Sequence, residues 1–212
     1  TDAVQSFGKL PVDVNDFTVD LMSVSAHKIY GPKGIGALYI RKGLTLDSLI
    51  HGGAQERRRR AGTENVPLAV GFAKAASIAQ KFQSMELERI SRLRADFLRA
   101  IHEKFPFILV NGDSTDGLAQ ILNVSFDRSK ILIDGEALLF NMDLAGVAVT
   151  SGSACMSGTM DASHVLLAMG REPGTARATI RFSMGRGTTG EEIRYAVDRL
   201  EEIVRKISKP PH

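Results

Sequence analysis

The sequence predicts an α/β fold, and three observations support that class. Short apolar runs typical of buried strands alternate with amphipathic stretches typical of helices. The 212 residues are 43% hydrophobic and 24% charged, which is close to the average of globular proteins. A polar stretch between two helical segments favours a domain boundary, so the predicted domains are 1–84 and 85–212.

The first predicted domain contains two strands and a helix. The runs at 19–25 and 35–40 are short, apolar and bounded by polar or turn residues, as in buried strands. Thr63 is the predicted N-cap of the helix, and Pro67 lies in its first turn, where a missing N–H group costs little. The polar stretch at 80–84 predicts that this helix ends there.

The second predicted domain alternates strands and helices. Apolar residues at spacings of three and four predict a second helix from Leu87 to Phe105. A glycine- and serine-rich loop is predicted at 151–158. The other predicted elements are strands at 107–110, 121–126, 147–150 and 179–184, and helices at 135–144, 163–169 and 191–206.

Composition and charge exclude several classes of protein. A single cysteine cannot form an internal disulfide, which excludes a disulfide-stapled scaffold and favours a reducing compartment, so we expect a cytoplasmic protein. No apolar run reaches the ~18 residues of a membrane span. The formal charge of +3, from 27 basic and 24 acidic residues, is too small to favour nucleic acid as a partner. The chain opens without a Met or a basic and apolar leader, so we expect no targeting segment.

Lys28 follows the first predicted strand, within the segment Ser25-Ala26-His27-Lys28. Desolvation at the end of a buried strand frees a lysine amine to act as a nucleophile, as Schiff-base chemistry with a carbonyl cofactor requires. The ordinary alternative is a surface lysine whose stem packs on apolar neighbours. Ser25 and His27 favour a site, because their polar side chains could hold an anion such as phosphate beside the amine.

Cys155 lies in the glycine- and serine-rich loop at 151–158. A structural cysteine usually lies inside an apolar run, whereas small neighbours predict an accessible thiol on a mobile loop. Two interpretations stay open at this point. The thiol is either a nucleophile that moves to a site and away again or an incidental loop cysteine.

Arg181 places a charge inside the predicted strand at 179–184. A buried guanidinium needs a partner, and its fork matches a carboxylate. That carboxylate belongs either to a ligand or to an internal Asp or Glu.

Asp2 and Gln5 lie near the start of the chain and carry no specific signal alone. The five histidines show no metal-ligand spacing with the single cysteine, so no metal site is expected.

Several segments together resemble the cysteine desulfurases of the NifS/IscS type, which are pyridoxal 5'-phosphate (PLP) enzymes of fold type I within aminotransferase class V. The combination of an HKxxGPKGxG lysine turn with an SGSAC loop is highly specific. The resemblance implies that 1–84 is the C-terminal part of the large cofactor domain with a connecting helix, and 85–212 the small C-terminal domain. The matching segments, in the family's order, are DAVQSFGKLPVD, DLMSVSAHKIYGPKGIGALYIRK, HGGAQERRRRAGTENVP, VTSGSACMSGTMDASHVLLAMG and ATIRFSMGRGTTGEEI.

The resemblance implies a role for each matching residue of the first domain. Lys28 is similar to the lysine that forms the Schiff base with PLP and later moves the substrate's α-proton. Asp2 matches the carboxylate that pairs with the pyridine N–H, and Gln5 matches the residue that bonds the cofactor's phenolic oxygen. Ser25 and His27 match the phosphate ligands within the same subunit.

Further roles implied by the resemblance concern the substrate and a second subunit. Arg181 matches the arginine that binds the substrate carboxylate, and Cys155 matches the nucleophile that takes the substrate's sulfur as a persulfide. Thr63 is similar to the threonine that reaches the neighbouring subunit's phosphate, which implies a homodimer. The arginine run at 57–60 either serves that interface or is a solvated basic loop.

The implied reaction converts L-cysteine to L-alanine and leaves sulfur on Cys155. The loop after Cys155 resembles that of the IscS-like group, which delivers sulfur to an iron–sulfur scaffold or another acceptor protein. Two alternatives are a non-catalytic module that docks sulfur acceptors and, within the enzyme class, a selenocysteine lyase. Retention of Lys28, Cys155 and Arg181 favours the enzyme.

The resemblance also implies a part of the family that this chain lacks. Family chains begin well before this one, and a Gly-Thr phosphate segment, a histidine stacked on the cofactor and an asparagine near the substrate have no counterpart here. We therefore expect unpaired strand edges and exposed apolar faces. We also expect the chain alone to bind PLP poorly and to need a complementary N-terminal polypeptide.

Overall fold

The N-terminal part of the protein forms a two-stranded antiparallel sheet. The computed structural model describes residues 1–113, 117–151 and 162–210, and it divides into two compact units, Thr1–Leu87 and Glu88–His212. In the first unit, β1 (Leu21–Ser25) pairs with β2 (Gly36–Ile40). Both predicted strands are therefore confirmed. Residues 19, 20 and 35, which were predicted as their first residues, lie outside the paired strands.

Short helical segments surround this sheet. A 3-10 helix, Ala26–Ile29, follows β1 directly, and α1 (Gln55–Arg58) is a short segment with irregular backbone. Neither segment was predicted, because four residues are too few to show a helical period.

A single long helix, α2 (Val66–Lys104), replaces the two helices that the sequence predicted. The prediction of a break at 80–84 was wrong because this stretch contains neither Gly nor Pro, and its Gln and Lys residues are good helix formers. The prediction that Thr63 caps the helix was also wrong. Asn65 is the cap, since its side-chain oxygen accepts the Leu68 N–H at 3.2 Å.

The core of the first unit lies between its N-terminal turn, the 3-10 helix and α2. Ile29, Ala75 and Ala79 are buried together, and Phe7 and Phe72 pack against them. The two phenylalanine rings meet edge to face, with centroids 6.3 Å apart. The buried Ile29 is the residue directly after Lys28, so the core fixes the backbone that carries this lysine.

The second unit contains a three-stranded antiparallel sheet in the order β3-β4-β5. Helix α6 begins with a capping box between Thr189 and Glu192, which satisfies free N–H groups of its first turn. The elements of this unit after α2 are β3 (Ile108–Val110), β4 (Ile121–Phe126), α3 (Gly135–Leu144), α4 (His164–Ala168), α5 (Pro173–Arg177), β5 (Thr179–Ser183) and α6 (Gly190–Ile207).

Two predictions for this unit differ from the structure. The segment at 147–150 is not a strand, since it meets the sheet only in an isolated bridge between Thr150 and Arg181. An apolar run suggests a strand, but it does not show whether the edge of a neighbouring strand is available for pairing. Helix α5 was missed, although Glu172 caps its Gly174 N–H at 3.3 Å and Pro173 begins its first turn.

The sheet of the second unit has an apolar face and a polar face. Residues alternate along each strand, so Leu122, Val124 and Phe126 of β4 point into the core. Phe182 of β5 packs on Phe97 of α2, with ring centroids 4.7 Å apart. The opposite face carries the polar side chains Asn123, Ser125, Thr179 and Arg181.

None of the described helices combines the length and the apolar character that crossing a membrane requires.

Candidate active site

Asp2 lies beside the strand that leads to Lys28. The backbone at Asp2 runs parallel to β1 and forms a bridge with Ser23, and the next N–H, that of Ala3, donates to the Ser23 carbonyl at 2.9 Å. β1 ends at Ser25, and the 3-10 helix that carries Lys28 follows at once. Because parallel segments end at the same edge, the residues after Asp2 and those after Ser25 lie at one edge of the sheet, where α/β proteins bind ligands.

The Asp2 carboxylate is held by two hydrogen-bond donors. Its Oδ1 accepts the Val4 backbone N–H at 2.8 Å and the Ser23 hydroxyl at 3.3 Å. One donor lies two residues after Asp2 and the other is on its bridge partner, so together they fix the direction of the carboxylate. Asp2 is exposed, which leaves this fixed negative group accessible to a ligand.

Ser25 and His27 form a polar pair directly before Lys28. Their Oγ and Nδ1 atoms are 2.7 Å apart, and the tautomer of the imidazole decides which of them donates. Ser25 is half-buried and His27 is exposed. The pair can therefore offer polar hydrogens to an anion beside the lysine amine.

The 3-10 helix holds Lys28 between two buried residues. Ala26 and Ile29 are buried, and Lys28 is half-buried. The helix closes at Tyr30, which has a left-handed φ of 65°, and the Gly31 N–H donates to the Ala26 carbonyl at 2.9 Å. A Cβ on residue 31 would lie 2.9 Å from that carbonyl oxygen. The close approach explains why glycine follows the lysine segment.

Gln5 and Lys9 lie on the N-terminal turn, one helical turn apart. The Lys9 Nζ donates to the Gln5 Oε1 at 3.2 Å. Lys9 is half-buried; burial, and after it repulsion from Lys28, lowers the pKa of Lys9. Sequence reasoning missed Lys9, although its spacing of four from Gln5 is a usable signal for neighbouring side chains.

Thr63 and the arginine run lie on an exposed segment of the first unit. Thr63 and the arginines at 57–59 are exposed, whereas the half-buried Arg60 donates from Nη1 to the Gly62 carbonyl at 2.9 Å. Residues 56–58 have φ of 48°, 57° and 65°, a left-handed conformation that is strained for residues with side chains. Both interpretations of the run, subunit interface and solvated loop, stay open.

Arg181 lies on β5 of the second unit, directly opposite Asn123 of β4. On the other side, its N–H donates to the Thr150 carbonyl at 2.6 Å. Its Nε is buried, and within 1–113, 117–151 and 162–210 it has no hydrogen-bond partner. No ion pair in that part of the chain includes Arg181. The Nε donor of this guanidinium is therefore unsatisfied within the described residues.

A polar network holds the side chain opposite Arg181. Asn111 Nδ2 donates to Asn123 Oδ1 at 2.6 Å and to the Ser125 hydroxyl at 2.7 Å. Arg171 Nε in turn donates to Asn111 Oδ1 at 2.7 Å. Sequence reasoning missed this network, because single polar residues on separate segments give no periodic pattern.

The structure brings five of the predicted site residues to one region of the first unit. Thr63 lies on another segment of that unit, Arg181 belongs to the second unit, and Cys155 lies outside the described residues. In the described part of the chain, no group of three or more His, Cys, Asp or Glu side chains is arranged to hold a metal ion. The five residues are Asp2, Gln5, Ser25, His27 and Lys28.

Comparison with curated proteins gives close relatives. The chain is 45% identical to the cysteine desulfurase IscS of Dictyoglomus turgidum, over 98% of its own length and 52% of that protein. It is 43% identical to the cysteine desulfurase of Homo sapiens, over 98% of its own length and 44% of the human protein. The chain thus spans about half the length of the curated relatives it matches.

Comparison with solved structures agrees with the sequence relatives. A protein described as NifS-like has a TM-score of 0.84 and 36% identity over 97% of this chain and 52% of its own. The structure described as "SspA in complex with cysteine" has a TM-score of 0.63 and 37% identity over 87% of this chain and 49% of its own. The predicted α/β fold class and the predicted resemblance are therefore confirmed.

A family model covers nearly the whole chain. The model for aminotransferase class V matches residues 1–196. The match includes both strands of the first unit and the sheet of the second. On this ground, and with the relatives above, the chain belongs to the aminotransferase class-V family.

Proposed function

We propose that this chain carries the reactive lysine, the cofactor ligands, the thiol and the substrate arginine of a PLP-dependent cysteine desulfurase. The reaction converts L-cysteine to L-alanine and leaves the sulfur on Cys155 for an acceptor protein. The observation that supports this best is the parallel bridge of Asp2 with Ser23 beside the strand that leads to Lys28. A carboxylate, a hydroxyl–imidazole pair and a half-buried amine thereby lie at one sheet edge.

The donor set of this region fits PLP. The Lys28 amine suits the aldehyde, and the Asp2 carboxylate, held at Oδ1 by two donors, suits a pyridine N–H. When His27 Nδ1 carries a proton, it donates to Ser25 Oγ across 2.7 Å, and the serine hydroxyl is free to donate to phosphate. Gln5 offers an amide N–H for the phenolic oxygen. When bound, PLP supplies an electron sink that eases the loss of the substrate's α-proton.

Lys28 and Asp2 perform separate tasks in this proposal. The Lys28 Nζ removes the proton from the substrate Cα, and the 3-10 helix limits the movement of its backbone. The Asp2 carboxylate would accept the hydrogen bond of the pyridine N–H and so favour positive charge at that nitrogen. Its two donors keep the carboxylate from rotating away.

Arg181 binds the substrate carboxylate. Its buried Nε has no partner in the described part of the chain, and an unsatisfied buried donor costs about 1–3 kcal/mol. A substrate carboxylate relieves this cost and matches the planar guanidinium. The structure described with bound cysteine, that of SspA, supports L-cysteine as the substrate class.

Cys155 takes the sulfur in the proposed reaction. Its thiolate attacks the substrate sulfur, so a sulfur–sulfur bond forms while the substrate's Cβ–S bond breaks. The electron pair of the broken bond stays with the carbon fragment, which takes up protons and leaves as alanine. The persulfide on Cys155 is then passed to an iron–sulfur scaffold or another sulfur acceptor, which is the expected partner.

Exposed apolar groups support a homodimer and a larger protein. Leu49 is 95% exposed and Ile50 56%, and both precede the strained backbone at 56–58 and the exposed Thr63 in the chain. Leu38 of the short sheet is 51% exposed.

Because the chain spans about half the length of its relatives, the activity belongs to a protein that includes the remaining half, on the same or a separate polypeptide. A cytoplasmic location stays a prediction.

Covalent labelling tests the proposal. The protein is mixed with PLP, reduced with borohydride and digested, alone and with the remaining half of a relative added. We expect a pyridoxyl group on Lys28 in the wild type and in the exposed-lysine control Lys42→Ala, and none in Lys28→Ala. A pyridoxyl group spread over surface lysines, or none at all after the addition, would overturn the enzyme and favour the non-catalytic module.

A second experiment tests the sulfur chemistry. With L-cysteine as substrate, Cys155→Ala should lose persulfide formation and sulfide release, while PLP labelling of Lys28 is retained. Turnover of L-selenocysteine compared with L-cysteine distinguishes the selenocysteine lyase. Undiminished sulfide release from Cys155→Ala would show that another group takes the sulfur.

A further inference from the structure

We propose that Lys9 is a positioning residue of this site, which holds the Gln5 amide so that its Nε2 faces the phenolic oxygen of the cofactor. The inference rests on the proposed function, in which Gln5 bonds that oxygen. It concerns a residue with no assigned role in that function. Lys9 does not need to touch the cofactor, because it acts through Gln5.

The hydrogen bond between the two side chains determines the orientation of the amide. Lys9 Nζ lies 3.2 Å from Gln5 Oε1. An ammonium group can only donate, so the atom that faces it is the amide oxygen. The amide nitrogen therefore points elsewhere, with two hydrogens to donate. A donor of this kind suits an anionic phenolic oxygen.

The N-terminal turn brings Lys9 close to Lys28. Gly8 has a φ of 74°, and a Cβ at this position would lie 2.7 Å from Ile29 Cγ2 and 3.0 Å from Ala79 Cβ. The residue before Lys9 is thus packed against the residue after Lys28. Only glycine allows this close approach of the turn to the 3-10 helix.

The Lys9 side chain is partly withdrawn from solvent. The side chain is half-buried, and the pKa of Lys9 is lowered first by burial and then by repulsion from Lys28. A solvated lysine would show neither influence. Other charged or titratable groups on the packed elements include Asp2 on the turn, His27 and Tyr30 at the 3-10 helix, and Lys74 and Lys81 on α2.

The backbone of the turn is rigid enough for this role. Its N–H groups at Phe7 and Leu10 donate to the carbonyls of Ala3 and Ser6, at 2.8 and 2.9 Å. The side chain of Gln83 on α2 donates to the Leu10 carbonyl at 2.8 Å. The turn therefore keeps the backbones of Gln5 and Lys9 one helical turn apart, within reach of the hydrogen bond between their side chains.

A double-mutant cycle tests the inference, with PLP binding by the chain mixed with the remaining half of a relative as the readout. Lys9→Met should weaken PLP binding by about tenfold at most, because an amide that is no longer held loses its hydrogen bond to the phenolic oxygen. Lys9→Arg should restore binding to within about threefold, because it keeps the donor. In a Gln5→Ala background, Lys9→Met should change binding less than about twofold. Independent effects of the two substitutions, or unchanged binding in Lys9→Met, would overturn the inference.

A readout without the cofactor separates this inference from the proposed function. In the 212-residue chain without PLP, the side-chain amide resonance of ¹⁵N-labelled Gln5 should move in Lys9→Met and stay in the control Lys42→Met. An unmoved resonance contradicts the hydrogen bond, whatever the chain does with PLP. A moved resonance in a chain that never labels at Lys28 supports the contact and overturns the proposed function alone.

Discussion

Asp2 is linked to Ser23 twice, through a parallel backbone bridge and through the serine hydroxyl that donates to the Asp2 carboxylate at 3.3 Å. Ser23 belongs to β1, whose end carries Ser25 and leads to Lys28. One short strand therefore determines the position of both the Asp2 carboxylate and the backbone that carries the Lys28 amine. A shift of this pairing by one residue would turn the Asp2 side chain to the opposite face of the sheet.

Asp2→Asn tests the charge of this group without removing its hydrogen bonds. The amide oxygen can still accept from Val4 and Ser23, so we expect the fold to be retained. The loss of negative charge should lower cysteine turnover by about 10²-fold, as for other groups that stabilise charge in a transition state. Turnover and far-UV circular dichroism of both proteins check this result. A variant with wild-type turnover would contradict the role of Asp2.

Arg181→Lys tests the proposed binding of the substrate carboxylate. Lysine keeps the charge but loses the planar fork, and hydrogen bonds to charged groups contribute about 1.5–3 kcal/mol. KM for L-cysteine should therefore rise about ten- to hundredfold, with a smaller effect on kcat. Steady-state kinetics measure both. If kcat alone fell, Arg181 would act on the chemical step rather than on substrate binding.

Local patterns in the sequence predicted most elements but not the long-range polar contacts. The segments at 121–126 and 135–144 were predicted with the bounds that β4 and α3 have in the structure. The polar stretch at 80–84 was misleading, since polarity without Gly or Pro does not end a helix. The bond between Lys9 and Gln5 is local in sequence and was overlooked. The Asn111–Asn123 contact depends on strand pairing and has no local signal.

Arg89 anchors the turn that follows the strand of Arg181. Its guanidinium donates to the carbonyls of Thr188 at 2.8 Å and of Gly185 and Arg186, both at 3.0 Å. Arg89→Met should lower the free energy of unfolding by about 1–3 kcal/mol, because it leaves carbonyl oxygens without a donor. Urea unfolding measures this change.

The control for Arg89 is Arg92→Met, on the same helix. Arg92 is exposed and pairs only with Glu88 in the described part of the chain. Surface pairs of this kind contribute about 0–1 kcal/mol. Equal losses in the two variants would indicate a general effect of removing an arginine from α2, and not an anchored turn.

The pair of Lys104 and Glu201 makes the second unit sensitive to acid. Lys104 Nζ lies 2.7 Å from Glu201 Oε2, and this hydrogen bond is the largest influence that lowers the pKa of Glu201. The pKa of a carboxyl is then lower in the folded state than in the unfolded state. The resulting stabilisation is present above the unfolded pKa, about 4.3, and is lost as the pH falls through the folded pKa.

Glu201→Gln should therefore flatten the fall of Tm with pH on the acid side. The amide keeps the size of the side chain but has no proton to gain, so the Tm of the variant should be lower than that of the wild type near neutral pH and approach it in acid. Lys104→Met should flatten the fall less than Glu201→Gln does, because Arg205 still pairs with Glu201 and lowers its pKa. The double variant should have the same slope as Glu201→Gln alone. Thermal unfolding between about pH 3 and 7 measures the slopes, and wild-type slopes in both single variants would show that the pair does not govern acid stability.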